Sequence, residues 1–150
     1  MGKGENTEIL VTNSSDETEK AGFNFAKKMQ IGDAVCLYGN LGNGKTTFIK
    51  GLAKGLGIKH RIISPTFIIV RSYDFKFQQE DAIFYHADLY RLSSENDLEQ
   101  VGLSDILKDK NKIIAIEWPE KLGKFMSKNR WEIYFKVLGN NKREIKIKYE

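Results

Sequence analysis

A chain of 150 residues, 41% hydrophobic and 29% charged, has the make-up of one folded domain spanning 1–150, which excludes a disordered chain and two ordinary domains. Lys and Arg outnumber Asp and Glu by 24 to 20; the resulting +4 suits an anionic ligand or nearby RNA, is too small for a basic nucleic-acid arm, and is most plainly a solvated surface. Cys36 is the only cysteine, which excludes an intrachain disulfide and a multi-cysteine zinc site, and no apolar run approaches a membrane span.

The first segment, "TEILVT", is short, apolar and β-branched and reads as a strand. "NSSDETEKAGFNFAKKMQ" then carries a helix start, because Ser14 precedes Glu17 by the three residues of a capping box. Ala21, Phe25 and Met29 follow at four-residue steps with Ala26 beside them, giving that helix one face to bury. "AVCLY" is a second strand, continuous enough in its apolar character to be covered on both faces, with Cys36 a buried structural thiol. After a glycine-rich stretch, Phe48, Ile49, Leu52, Ala53 and Leu56 form a second helical stripe, which Gly57 terminates.

"RIISPTFIIVRSYDF" breaks at Ser64-Pro65 and resumes as a strand, and "AIFYHADLYRL" is a strand that runs into polar residues. "SSENDLEQVGLSDIL" holds two short helical pieces, and "KIIAIEWPEKL" opens with a compact strand ending at Glu117. "WEIYFKVLGNNKREIKIKYE" alternates on both sides of a Gly-Asn-Asn turn and reads as a hairpin, its lysines those of a solvated edge strand. Strands and helices in alternation make the fold class α/β, with a mainly parallel sheet and an antiparallel C-terminal ribbon.

The glycine-rich stretch, Gly39-Asn-Leu-Gly-Asn-Gly44-Lys45-Thr46, matches G-x-x-x-x-G-K-[ST] between a strand and a helix. A polyphosphate has to be wrapped by backbone N–H groups at close range, and glycines remove the Cβ atoms that would block the approach. The helix beginning near Lys45 turns its free amides and positive dipole end toward the same place. Lys45 supplies a mobile cation for the outer phosphates, and the Thr46 hydroxyl a ligand for Mg²⁺. Gly39, Gly42, Asn43, Gly44, Lys45, Thr46 and Thr47 are the candidate nucleotide-binding set.

Hydrolysis needs in addition an acid near the metal and a group that places the attacking water. Asp88 and Glu117 each end an apolar strand, and either can fill the first role; Glu117 is the better candidate for the metal and Asp88 for the water. His86 shares a strand face with Asp88 and is either an orienting group or a structural histidine. Trp118 covers a nucleotide or partner, or belongs to the core, and Thr66 sits either in a phosphate-sensing loop or in a plain turn. His60 has no companion and is expected at the surface.

The stretches "GNLGNGKTT", "SPTF", "YHADLYRL" and "IEWPEKL", in this order and spacing, resemble the TsaE (YjeE) family of bacterial P-loop ATPases over nearly the whole chain. The resemblance implies a P-loop NTPase three-layer α/β sandwich that binds ATP with Mg²⁺ in the cytoplasm, away from membranes. It implies action with the TsaB–TsaD pair in making threonylcarbamoyladenosine on tRNA, hydrolysis supporting repeated turnover rather than the transfer itself; whether tRNA is touched directly or only indirectly stays open. By matching positions it assigns Lys45 and Thr46 to phosphate and Mg²⁺, Thr66 to a switch-like loop, Asp88 to the H-x-D motif, and Glu117 with Trp118 to the acidic metal-side motif. It also suggests Glu17 or Thr18 on the first helix and Arg143 in the last hairpin as groups closing around the nucleotide. Asn43 departs from the family, which often has alanine there. Two rival readings of the residues stay open: a small P-loop kinase of a metabolite, and a non-catalytic module in which ATP orders a docking surface.

Overall fold

The computed structural model describes residues 6–40, 42–63 and 69–150. Its centre is a seven-stranded sheet in the order β1-β7-β6-β2-β5-β4-β3. The strands are β1 (Glu8–Thr12), β2 (Ala34–Tyr38), β3 (Val70–Phe77), β4 (Glu80–Asp88), β5 (Lys112–Glu117), β6 (Trp131–Gly139) and β7 (Lys142–Tyr149). The helices are α1 (Ser15–Phe25), α2 (Lys45–Gly55), α3 (Glu95–Gln100) and α4 (Leu103–Lys108). The four central strands, β6, β2, β5 and β4, run parallel, and antiparallel partners flank them on both sides.

Burial explains the arrangement. Every residue of β5 is buried, as are the first four of β2, which is what a strand covered on both faces requires. One exception to apolarity is Lys112 at the start of β5, whose ammonium is satisfied by the carbonyls of Gly32 at 3.3 Å and Asp109 at 3.1 Å. Side chains alternate, so Val35, Leu37, Phe84, Ile113 and Ala115 face α1 and α2, while Ala34, Ala87, Ile114 and Ile116 face α3, α4 and the turn after β5. The expected stripe of α2, Phe48 to Leu56, is buried throughout. The helix stops where Gly57 takes a left-handed turn (φ 83°).

Helix α1 begins as its sequence proposes, Ser14 Oγ accepting the Glu17 N–H at 3.1 Å. It ends earlier than the four-residue spacing suggests: the chain tightens into a 3-10 turn at Ala26–Lys28, and Met29 is already extended, although buried. Two pairings could not be read from periodicity. β3 and β4 form a full antiparallel hairpin, and the lysine-bearing β7 is not an edge strand, because β1 pairs outside it. Among the described residues no helix is long and apolar enough to cross a membrane.

This topology decides where chemistry can sit. Leu37, Glu117 and Asp88 stand side by side in register at the carboxyl ends of β2, β5 and β4. That end of a parallel sheet, beside the loop from β2 into α2, is where such folds hold ligands.

Candidate functional site

The chain leaves β2 through Gly39 (φ 145°), where an added Cβ would lie 3.1 Å from the Phe135 carbonyl oxygen and 3.2 Å from its Cβ. The loop is thus pressed against β6, and only glycine fits. It enters α2 at Gly44, the N-cap, which is left-handed at φ 94°. Among the described residues no side chain caps α2 there, so the amides of its first turn are open to an anion.

Lys45 and Thr46 open α2, and both meet the acids across the sheet's edge. The Thr46 hydroxyl lies 3.3 Å and 3.2 Å from the two carboxylate oxygens of Glu117. His86 Nε2 lies 2.7 Å from Glu117 Oε2, with His86 fully buried and Glu117 4% exposed. A carboxylate only accepts, so Nε2 is the nitrogen that carries hydrogen, and the acid is fixed from two sides. Of the groups His86 was expected to meet, its partner is a carboxylate. Lys45 Nζ donates to the Gly39 carbonyl at 2.5 Å and sits 4.3 Å from the centre of the Trp118 ring. Burial lowers the Lys45 ammonium below the ordinary lysine range, with the charges of Glu117, Asp88 and Glu120 opposing. Asp88, next to Glu117, accepts the Tyr90 N–H at 3.0 Å; burial pushes its carboxyl above the usual range, with that hydrogen bond opposing.

These donors suit a magnesium–polyphosphate pair. Thr46 and Glu117 offer hard oxygen ligands, and among the described residues no group of three or more His, Cys, Asp or Glu is arranged to enclose an ion. A partial protein shell fits Mg²⁺, which keeps water and takes phosphate oxygens for the rest.

The other expected residues fall at different distances from this centre. Trp118 is half-buried, packs 5.0 Å from the Tyr90 ring and leans on the α3–α4 side core. Arg143 comes from β7 to the loop: Nη2 donates to the Gly42 carbonyl at 3.2 Å, and its buried Nε has no partner among the described residues. Asn43 is buried, with Nδ2 3.5 Å from the Phe135 carbonyl, so the residue that departs from the family pattern helps hold the loop against β6. Thr47 lies half-buried in the first turn of α2. Thr18 turns its hydroxyl away, to Thr12 Oγ1 at 2.7 Å and the Ser14 carbonyl at 3.2 Å, and only its methyl approaches Gly44. The Glu17 side chain is exposed. Thr66, with Ser64 and Pro65, lies outside the described residues.

The TsaE family model, described as threonylcarbamoyl adenosine biosynthesis protein TsaE, matches residues 12–145. The chain belongs to the TsaE family. A relative from Borreliella burgdorferi, named tRNA threonylcarbamoyladenosine biosynthesis protein TsaE, is 43% identical over 132 residues, 84% of this chain and 92% of its own length. A protein of the same name from Treponema pallidum is 34% identical over 137 residues, 91% of this chain and 97% of its own. The crystal structure of YdiB from Bacillus subtilis superposes with a TM-score of 0.77 at 27% identity, covering 97% of this chain and 87% of that one. The fold is accordingly that of the P-loop NTPases.

Two residues that tie these elements together were not singled out from sequence. Lys121 donates to the carbonyls of Tyr90 at 2.5 Å and Leu92 at 2.6 Å, tying the turn after β5 to the turn after β4. Phe135 backs the loop through main-chain atoms, which no side-chain pattern can signal. A depression of about 510 Å³ lined by Asp74, Asp81, Asp109 and Asn111 lies at the other end of the β3–β4 hairpin, and none of the described candidate residues lines it.

Proposed function

We propose that this protein is the ATP-binding and hydrolysing subunit that supports turnover of a TsaB–TsaD complex in threonylcarbamoyladenosine modification of tRNA. The observation that carries the reading is the meeting of Thr46 and Glu117, 3.2 Å apart at the first turn of α2, with His86 behind the acid. A glycine-rich turn serving only as a turn has no need of a buried, doubly hydrogen-bonded carboxylate at its mouth.

In this reading the amides from Gly42 to Thr47 wrap the phosphates, and Lys45 exchanges its bond to Gly39 for one to the outer phosphates. Arg143 steadies the loop through Gly42. Thr46 and Glu117 would hold Mg²⁺, which when bound draws off charge developing on the phosphate oxygens. His86 keeps the Glu117 carboxylate turned toward Thr46. Asp88, one strand across, is the group that orients water, its raised proton affinity suiting a proton acceptor better than a free surface aspartate would. Thr66 is assigned to a phosphate-responsive loop on the sequence alone. The turns after β4 and β5, joined by Lys121, are the elements a partner could order, so hydrolysis is slow alone and faster in the complex.

Phosphate release is to be measured for the chain alone and with TsaB and TsaD from the same source. Faster release in the complex is expected, and equal rates count against the reading. Calorimetry with ATP and Mg²⁺ should find binding abolished in Lys45→Ala but kept in Glu117→Gln, whose phosphate release is lost; intact binding by Lys45→Ala refutes the assignment of the loop.

A further inference from the structure

Among the described residues three buried side-chain nitrogens have no hydrogen-bond partner; one is Nε of Arg143, and the other two, Nδ1 of His86 and Nε of Arg71, lie on facing strands. In the β3–β4 ladder Arg71 stands directly opposite His86. Both point to the α2 side. Val70, the neighbour of Arg71, belongs to the opposite core, and Phe84, two residues before His86, belongs to the α2 core. Residues directly opposed on antiparallel strands hold their Cβ atoms about 5 Å apart.

The two orphaned atoms are complementary. Arginine Nε–H can only donate. When the neutral imidazole of His86 gives its Nε2 hydrogen to Glu117, Nδ1 keeps a lone pair and has nothing to accept. A buried polar atom without a partner is costly, and two such atoms of opposite role on facing residues are satisfied together by one buried water between them or by a small side-chain shift that joins them. There is also a mechanical reason for a second anchor. The torsion that turns an imidazole about its Cβ–Cγ bond is soft, and a half-turn puts Cε1 where Nε2 was. With Nδ1 also held, that half-turn breaks two bonds instead of one.

We propose that Arg71 is a positioning residue that grips Nδ1 of His86 and, through the imidazole, holds the Glu117 carboxylate in line with Thr46. Arg71 then extends the chain of contacts from Thr46 through Glu117 and His86 onto β3. The functional consequence rests on the reading of Glu117 as the cation-side acid. Arg71 touches no phosphate in this scheme, so its loss affects the chemical step and not nucleotide affinity.

The test uses the full chain as wild type, Arg71→Met, which keeps the stem and removes the donor, and Arg71→Lys, which restores one. The chain has two histidines, His60 and His86, so the imidazole ¹⁵N spectrum assigns with a single His60→Gln control. The His86 Nδ1 resonance should move in Arg71→Met and return part-way in Arg71→Lys. In parallel, kcat for ATP hydrolysis in the partner complex should fall about tenfold in Arg71→Met with KM for ATP unchanged, the size seen when a residue behind a metal ligand is removed. An Nδ1 signal indifferent to Arg71 overturns the proposal, as does a rise in KM, which would put the guanidinium on phosphate. Glu117→Gln is measured alongside. An unchanged kcat in Arg71→Met beside an inactive Glu117→Gln places the failure in Arg71; unchanged rates in both place it in the reading of Glu117.

Discussion

Replacing Gly51 by alanine should unfold the protein more easily and weaken the site, although alanine is the better helix former. Helices α1 and α2 touch backbone to backbone. A Cβ on Gly51 would lie 1.8 Å from the Glu19 carbonyl oxygen, 2.7 Å from its carbon and 3.0 Å from Phe23 N. An ordinary carbon contact needs about 3.5 Å, so the helices must part by about 1.5 Å locally. Carbonyls of a helix cannot rotate aside as a side chain can, so the cost sits at or above the upper end of the usual 1–3 kcal/mol for overpacking, roughly 3–4 kcal/mol. Helix propensity returns about 1 kcal/mol. The net loss of about 2–3 kcal/mol corresponds to a midpoint lowered by roughly 5–10 °C for a chain of this size. The same displacement moves the start of α2, so Thr46 draws away from Glu117 and ATP affinity falls with stability. Urea unfolding followed by circular dichroism, with an unchanged m-value, and a thermal melt measure the first effect; calorimetry with ATP and Mg²⁺ measures the second. Lys50→Ala, an exposed position on the same helix, is the control. Gly51→Ala at or above wild-type stability would refute the reasoning, because it would mean that the two helices are not in backbone contact.

Three further outcomes follow from other sites. Thr46→Val keeps the side-chain shape and removes the hydroxyl between α2 and Glu117, so Mg²⁺-dependent ATP affinity should drop about tenfold while binding without Mg²⁺ is kept; titration with and without the cation separates the two. Burial pushes the Cys36 thiol up to about 12, so a thiol reagent should leave the folded protein nearly unmodified and label it at once in denaturant. Burial raises the Glu132 carboxyl, but hydrogen bonds from Tyr134 and Arg130, with the charge of Arg130, outweigh it and hold the group below the usual carboxylate range. The folded state therefore takes up this proton less readily than the unfolded chain. The stabilisation is present above the unfolded value, about 4.5, and is lost as pH falls through the lower folded one; Glu132→Gln should flatten that acid limb in unfolding titrations.

What could be read from sequence was what is local in the chain. The stripe from Phe48 to Leu56 reports the inner face of α2, and "KIIAIE" reports a strand covered on both sides, because period and composition act over a few residues. The loop from Gly39 to Thr46 is legible for the same reason: its demands are those of one turn and one helix start. The pairing of β3 with β4 was not legible, and with it the facing of Arg71 and His86, since register is a relation between strands that neither strand's own pattern contains. The sequence pattern gives Gly22 and Gly51 no role, because glycine inside a helix normally weakens it. Their use appears only when α1 lies on α2 and a Cβ on Gly22 would come 2.0 Å from the Phe48 carbonyl oxygen. His86 could be placed on a strand face beside Asp88, but choosing between an orienting and a structural role required the position of Glu117 on the next strand.

The geometry of the acid and the lysine depends on one strained residue. Trp118 is left-handed, at φ 59° and ψ 49°, a conformation that costs a non-glycine residue about 1–2 kcal/mol. Pro119 follows and disfavours the right-handed alternative, because its ring crowds a preceding helical residue. Extended backbone remains open to residue 118, and it would carry the chain on past the sheet. The observed turn instead stops β5 at Glu117, whose carbonyl accepts the Leu89 N–H at 3.1 Å. It also brings the indole back against Tyr90 and over Lys45 Nζ. The ring contacts are of a size to offset the strain, since an aromatic pair and a cation over a ring each contribute about 0.5–1.5 kcal/mol. Lys45 is held by the residue that directly follows Glu117, so the lysine and the acid cannot be moved independently. A shift of the turn after β5, to which Lys121 ties the turn after β4, acts on both side chains at once.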